Sequence, residues 1–331
     1  MIIECEAYAR AGLLGNPSDG YFGKAISIII RNFKAIVSLR QTPELTIEEM
    51  DVDRNKFHNI YHLTESVRQN GYYGGQRLIK AVIKRFCEYC ELNDIKLADK
   101  NFTISYKTSI PRQVGMAGSS AIITAALRAL MKFYDVHIPI EIIPNIVLAA
   151  ETEELSIIAG LQDRVIQTYE GCVYMDFDKS YMEKHNHGKY ERIDPELLPN
   201  LYMAYKTDLS KVSGAVFNNL KERYNQGDEL VHKTIQDLAN LAEQGKKAIF
   251  NRDYLTLNQL IDLNFDLRCK IMNISDSNME MVRVARTSGV SAKFSGSGGA
   301  IIGMYKDDVT LRKLEKNLRK INAKVIIPNI I

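Results

Sequence analysis

No run of roughly 18 or more apolar residues occurs in the chain, which excludes a helix built to span a membrane. The opening residues, Met1-Ile2-Ile3-Glu4-Cys5-Glu6, lack the basic start and apolar core of a signal peptide. Cysteine is scarce. Its five residues, Cys5, Cys87, Cys90, Cys172 and Cys269, are odd in number and mostly scattered. That pattern suits free thiols in a reducing compartment and predicts a cytoplasmic protein. An excess of one charge is also missing. The 43 Lys and Arg against 40 Asp and Glu leave a net charge of +3. A dedicated nucleic-acid binder would carry a concentrated basic stripe, so no nucleic-acid partner is expected. There is no internal repeat and no low-complexity tract.

What is present is an ordinary globular mixture, 46% apolar and 25% charged. The length of 331 residues allows two domains. The first 40 residues read as strands around a loop, because Phe33, Ala35, Val37 and Leu39 alternate with polar positions. Leu78, Ile79, Val82, Ile83 and Phe86 share one face of a helix over 76–92. Phe102, Ile104 and Tyr106 mark another strand. A helix over 119–134 follows a loop of small residues. Pro144 opens a helix that carries Ile146, Val147, Ala150 and Leu155. The next helix starts near Asp163 and stops at Gly171, before a strand over 172–177. The stretch 178–200 is polar and aperiodic, and the domain boundary is placed there, giving domains 1–195 and 196–331. Beyond it come a strand over 202–205, helices between Ser213 and Ser288, a strand at 290–294 and a Gly-rich turn. Strand 300–305, helix 308–321 and strand 324–327 complete the chain. Strands and helices are mixed in both halves, so the class is α+β.

Several motifs fail on inspection. Gly23-Lys24 is followed by Ala25, and Ser18 stands where a P-loop needs its first Gly. Asp51-Val52-Asp53-Arg54-Asn55 starts like a calcium loop, but Lys56 and His62 occupy the turn-Gly and bidentate-Glu places. Cys87 and Cys90 form a C-x-x-C without a second pair, on an apparent helix. His58 and His62 lie four apart, but Asn59 stands where a zinc protease needs Glu.

The strongest local signal is Pro111-Arg112-Gln113-Val114-Gly115-Met116-Ala117-Gly118-Ser119-Ser120-Ala121. Small residues let backbone approach a phosphate, successive N–H groups form an anion nest, and the following helix adds unpaired donors. Ser119 and Ser120 offer hydroxyls to phosphate or to a metal ion. The same pattern also serves as a Ser cap after a Gly turn. The segment resembles the phosphate loop of the galactokinase/homoserine kinase/mevalonate kinase/phosphomevalonate kinase (GHMP) superfamily, with one residue more before its serines than the commonest form.

Three further segments are similar to that superfamily and follow in its order. Arg10-Ala11-Gly12-Leu13-Leu14-Gly15-Asn16-Pro17-Ser18-Asp19 resembles its first motif, with Asn16 where an acid is usual. Glu151 and Asp163 resemble its metal-binding and proton-handling carboxylates, with Glu153 and Glu154 as alternatives for the metal. Lys293-Phe294-Ser295-Gly296-Ser297-Gly298-Gly299-Ala300 resembles its third motif. Stretches such as Asn70-Gly71-Tyr72-Tyr73-Gly74-Gly75 and Ala159-Gly160-Leu161-Gln162-Asp163-Arg164 look most like the glucuronokinase branch.

The resemblance implies a two-domain α+β kinase fold with the active site between an N-terminal and a C-terminal α+β domain. It implies ATP and Mg²⁺, with Gly115, Ala117, Gly118, Ser119 and Ser120 holding the nucleotide. Ser119, Ser120 and Glu151 would place the metal. Asp163 would accept or orient the acceptor proton, and Arg10 would stabilise developing negative charge. Arg10, Asp19, Lys24, Arg112, Asp163, Gly296 and Gly298 would contact the acceptor. That acceptor would be a sugar or sugar acid, glucuronate foremost. Another sugar 1-kinase, a mevalonate-type kinase and a non-catalytic sugar and ATP sensor are the alternatives. The protein is expected to be a monomer or homodimer without membrane partners.

Overall fold

The computed structural model describes residues 2–48, 75–207 and 220–331. Its elements begin with β1 (Ile2–Leu14), a 3-10 turn (Ser18–Tyr21), β2 (Lys24–Thr42) and β3 (Thr46–Ile47). α1 (Gly75–Leu92), β4 (Asn101–Thr108), α2 (Gly118–Tyr134), α3 (Ile143–Thr152) and α4 (Gln162–Tyr169) follow. Then come β5 (Cys172–Asp176), α5 (Lys179–His185), β6 (Lys189–Ile193), a 3-10 turn (Pro195–Leu197) and β7 (Leu201–Lys206). The rest is α6 (Leu220–Asn225), α7 (Glu229–Phe250), α8 (Tyr254–Ile271), α9 (Asp276–Thr287), β8 (Lys293–Phe294), β9 (Ala300–Met304), α10 (Asp308–Arg319) and β10 (Ala323–Ile326). None of the described helices is long and apolar enough to cross a membrane. The Asp51–Asn55 loop, His58, His62, Asn70–Gly74 and Ser213 lie outside the described residues.

The chain divides into two compact units that interleave along the sequence. The first takes the residues up to Tyr8, Phe33–Ile110 and Gly118–Ala159. In it the second half of β2 pairs antiparallel with β4, from Ala35 opposite Thr108 to Thr42 opposite Asn101, and β3 adds in parallel to β4. The alternating residues Ala35, Val37 and Leu39 are buried, as period 2 demands. Helices α1, α2 and α3 pack on one another. Phe86, Phe102, Phe133 and Tyr134 form an aromatic knot, with edge-on pairs such as Phe102–Phe133 at 5.4 Å.

The second unit takes Ala9–Asn32, Pro111–Ala117 and Gly160–Ile331. Here the first half of β2 pairs with β5, and β5 with β6. This pairing commits 172–193 to the same unit as the C-terminal half of the chain. A second, wholly antiparallel sheet runs β10-β7-β9-β8. Its core gathers Tyr202, Phe265, Met281, Phe294, Ile301, Leu314 and Leu318. Helices α7, α8 and α10 start where Asp228, Asp253 and Asp307 accept from the backbone N–H three residues on, capping otherwise unpaired donors.

The structure departs from expectation where solvent erases the hydrophobic period. The stretch 178–200 was expected to be irregular, yet it holds α5 and β6. Asp178 caps α5 by accepting from Tyr181 N–H, but no residue of that helix is buried. On β6 only Ile193 is buried, so no apolar alternation marks it. The helix opened by Pro144 ends at Thr152, short of Leu155. Strand 290–294 shrinks to two residues, Lys293 and Phe294.

Candidate active site

Arg10, on β1 and only 5% exposed, meets Asp163 in the first turn of α4. Its Nε donates to Asp163 Oδ1 at 2.5 Å and its Nη2 to Oδ2 at 2.7 Å, a side-on bidentate clamp. Its Nη1 donates to Gly115 O at 2.6 Å and to Ser295 O at 3.3 Å. One guanidinium therefore ties together the first motif, the loop before α2, the turn after β8 and the start of α4. Arg164 adds a second cation, 3.3 Å from Asp163 Oδ2. Burial pushes the Asp163 carboxyl up, but the charges of Arg10 and Arg164 and the hydrogen bonds from Arg10 together hold it below its ordinary value.

Asp19 lies beside this pair. Its Oδ2 accepts from Gln162 N–H at 3.3 Å. Burial, and then repulsion from Asp163, raise the Asp19 carboxyl to about 6, against the Gln162 N–H and the charges of Arg164 and Arg10. Two neighbouring carboxyls are thus pushed apart in acidity, the arrangement that separates proton-handling roles.

The loop before α2 alternates in the sign of φ. Gln113, Gly115 and Ala117 are left-handed at +57°, +70° and +60°. This alternation turns successive N–H groups toward one side, as in an anion nest. At Gly115 a Cβ would stand 2.6 Å from Gly298 O, so both the handedness and the space demand glycine. Gly296 is enclosed as well. A Cβ there would stand 2.3 Å from Gly115 O and 2.8 Å from Arg10 Nη1. The turn 295–299 therefore packs directly on the loop. Asn278 of α9 steadies it by accepting from Gly299 N–H at 3.0 Å.

Three residues complete this cluster, two of them, Asn264 and Arg268, outside any motif. Asn264 of α8 accepts from Gly15 N–H at 2.7 Å and donates to Asn16 O at 3.2 Å. Arg268, one turn later, donates through Nη1 to Gly296 O at 3.0 Å. Lys293 is fully buried, and its Nζ donates to Gly12 O, Asn16 Oδ1 and Phe294 O at 2.7, 2.6 and 2.9 Å. Burial, with Arg268 and Arg10 nearby, holds the Lys293 amine well below its ordinary value. Asn16 thus turns its carbonyl oxygen inward to a lysine. A signal for Asn264 and Arg268 exists in the sequence: two polar residues at i and i+4 among Leu260, Ile261, Phe265 and Leu267, on the buried face of the helix.

In the first unit, α2 starts at Gly118, so the N–H groups of Gly118, Ser119, Ser120 and Ala121 have no acceptor within the helix. Ser120 and Glu151 are each 1% exposed. Glu153 pairs with Arg85 at 2.5 Å, and Glu154 pairs with Lys84 and Arg85 at 2.7 and 2.8 Å. Two expected acceptor residues are engaged or placed differently. Lys24 binds Glu243 at 2.6 Å and lines a cavity of about 650 Å³ in the second unit, with Tyr174, Asp176 and Tyr190. Arg112 is exposed.

Comparison with known proteins bears on the family. The family model for the GHMP kinases N terminal domain matches residues 77–171, and that for GHMP kinases C terminal matches 246–324. Glucuronokinase 1 of Arabidopsis thaliana is 44% identical over 325 residues, which cover 96% of this chain and 89% of that protein. The chain belongs to the GHMP kinase family. Probable glucuronokinase 2 of the same plant is also 44% identical, over 96% of this chain and 89% of that one. The crystal structure of Lactococcus lactis galactokinase complexed with galactose shares the fold, with a TM-score of 0.75 at 14% identity, covering 99% of this chain and 93% of that one. As a GHMP kinase the protein is a phosphotransferase with an alcohol acceptor and ATP as its phosphoryl donor.

Proposed function

We propose that this kinase transfers the γ-phosphoryl group of ATP to the anomeric hydroxyl of a hexuronic acid, glucuronate foremost, giving a sugar 1-phosphate. The 44% identity to two plant proteins named as glucuronokinases supports the acceptor. The observation that carries the chemistry is the Arg10–Asp163 clamp with Asp19 beside it.

Phosphoryl transfer needs mainly positioning and charge neutralisation. The nest at 113–117 and the N–H groups that open α2, which lack an acceptor within the helix, suit phosphate oxygens. Gly115, Ala117, Gly118, Ser119 and Ser120 are the residues we assign to the nucleotide. For magnesium we assign Glu151 with Ser119 or Ser120, on the resemblance of Glu151 to the family's metal-binding carboxylate; Glu153 and Glu154 pair with Arg85 and Lys84. Among the described residues no group of three or more His, Cys, Asp or Glu is arranged to hold a metal ion. Magnesium commonly takes one or two carboxylates together with substrate phosphates. When bound, it neutralises charge on the phosphates.

Asp163, ionised and with both oxygens held by Arg10, is a weak base. We assign it to orienting the acceptor hydroxyl, with Arg10 stabilising the developing oxyanion. Asp19, Gly296 and Gly298 are assigned to the acceptor side. We retain a domain division at 195/196, testable by limited proteolysis near the Pro195–Leu197 turn.

The test is to incubate the protein with Mg-ATP and glucuronate, follow ADP release, and locate the phosphate by phosphorus NMR. An anomeric phosphate is expected. Phosphate on another hydroxyl, or ADP release independent of the sugar, would overturn the assignment.

A further inference from the structure

Arg268 is fully buried. Its Nη1 is satisfied by Gly296 O, and its guanidinium carbon lies 5.4 Å from the centre of the Phe294 ring. Its Nε and Nη2 are buried and have no partner among the described residues. A buried charge with unmet donors is costly, and folded proteins rarely keep one without a use. These two nitrogens form one side of the guanidinium. It is the same side by which Arg10 grips both oxygens of Asp163.

The charges around it are unbalanced. Arg10, Asp19 and Arg268 lie within electrostatic reach of one another, and Arg268 and Arg10 both act on Lys293. Lys293 donates to three neutral oxygens. Asp163 is taken by Arg10 and Arg164. Among the described residues, Arg10, Arg164 and Arg268 thus bear on the two carboxyls Asp19 and Asp163, of which Asp19 is itself raised toward neutrality. Burial lowers Arg268 to about 10, so it stays charged at neutral pH. A neutral acceptor leaves this positive excess in place, whereas an acidic one cancels part of it.

We propose that Arg268 selects the acidic sugar, receiving the substrate's carboxylate on its Nε–Nη2 edge as a bidentate pair. This rests on the hexuronate reading and names the side chain that performs the recognition. The matching geometry of a planar fork and a carboxylate gives both strength and direction. A phosphate oxygen of the nucleotide has the same chemistry, so the test separates the two sources.

The test compares wild type with Arg268→Met and Arg268→Lys, using glucuronate and glucose as acceptors and varying ATP separately. Methionine fills the space without burying a charge, and such replacements are often neutral or stabilising. Thermal melting checks the fold. For Arg268→Met, kcat/KM with glucuronate should fall by roughly 10²–10³-fold, the usual loss when one partner of a buried charged pair goes. The value with glucose and the KM for ATP should change little. Lysine keeps the charge but not the fork, and should lose most of the preference for glucuronate. An equal fall on both sugars, a rise in the KM for ATP with the sugar preference kept, or an unchanged ratio in both variants would overturn the proposal. If Arg268→Met does not fold, a wild-type preference in Arg268→Lys suffices to overturn it. A wild type that uses glucose as well as glucuronate defeats the hexuronate reading itself. A wild type that prefers glucuronate, with variants that keep the preference, defeats only the role of Arg268.

Discussion

Arg10 and Asp163 stand 153 residues apart in the chain, yet two hydrogen bonds of 2.5 and 2.7 Å join them edge to edge. The pair is structural and chemical at once. Asp163→Asn removes the charge but keeps the shape. Hydrogen bonds to charged groups are worth about 1.5–3 kcal/mol, and a stability loss of that order is expected. kcat should fall by roughly 10²–10⁴-fold. Urea unfolding and initial-rate kinetics on the same preparation check both. Near-normal turnover would remove Asp163 from the chemistry.

Asp163 and Asp19 pull stability in opposite directions with pH. A carboxyl held below its ordinary value contributes stability above that value and loses it as acid protonates the folded state, which is the case of Asp163. Asp19 is raised to about 6, so folding favours its protonated form. Its contribution declines as pH rises from its ordinary value toward 6. Asp19→Asn should therefore be no less stable than wild type at pH 8, while kcat/KM drops and loses its ionisation near 6. A pH profile for Asp19→Asn that keeps the wild-type step would assign that step to another group.

Ala117 is left-handed at φ +60°, a conformation that costs a residue with a Cβ about 1–2 kcal/mol. Ala117→Gly should leave the melting temperature unchanged or raise it. Gly115→Ala should do the reverse, because its Cβ would meet Gly298 O at 2.6 Å. Gly118→Ala meets only Ile110 Cγ2 at 3.5 Å, so it should fold normally. Calorimetry on the three variants decides. Equal melting temperatures for Gly115→Ala and Gly118→Ala would show that the loop yields.

How much of this was legible depends on whether residues act locally. The Gly-rich loop before α2, Arg10, Asp19 and Asp163 carry recognisable spacing, and the buried alternation at Ala35, Val37 and Leu39 follows from period 2 alone. Lys293 heads the Gly-rich segment but does not act locally, and Asn264 and Arg268 show only a polar i, i+4 pair. Their partners lie 281, 249 and 28 residues away, at Gly12, Gly15 and Gly296, and nothing in their own neighbourhoods announces the pairing. α5 and β6 were missed because solvent, not a core, surrounds most of their side chains. Lys24, expected on the acceptor side, pairs with Glu243 of α7, 219 residues away, and no local pattern signals that partner.

Glu151 is buried on α3, while Glu153 and Glu154 pair with Lys84 and Arg85. Replacing it by Gln deletes one hard, charged oxygen ligand while keeping the volume. The magnesium concentration giving half-maximal rate should rise, and kcat should fall at saturation. Glu154→Gln should leave the magnesium titration alone. The reverse result would move the metal site.

The hexuronate assignment is tested most directly by kcat/KM of the wild-type protein for glucuronate and for glucose at fixed Mg-ATP. A site that pairs a buried cation with the substrate's carboxylate rejects the sugar lacking it, by up to about 10⁴-fold. A strong preference for glucuronate is the expected result. Equal or better use of glucose would contradict the acidic acceptor while leaving the GHMP kinase fold intact.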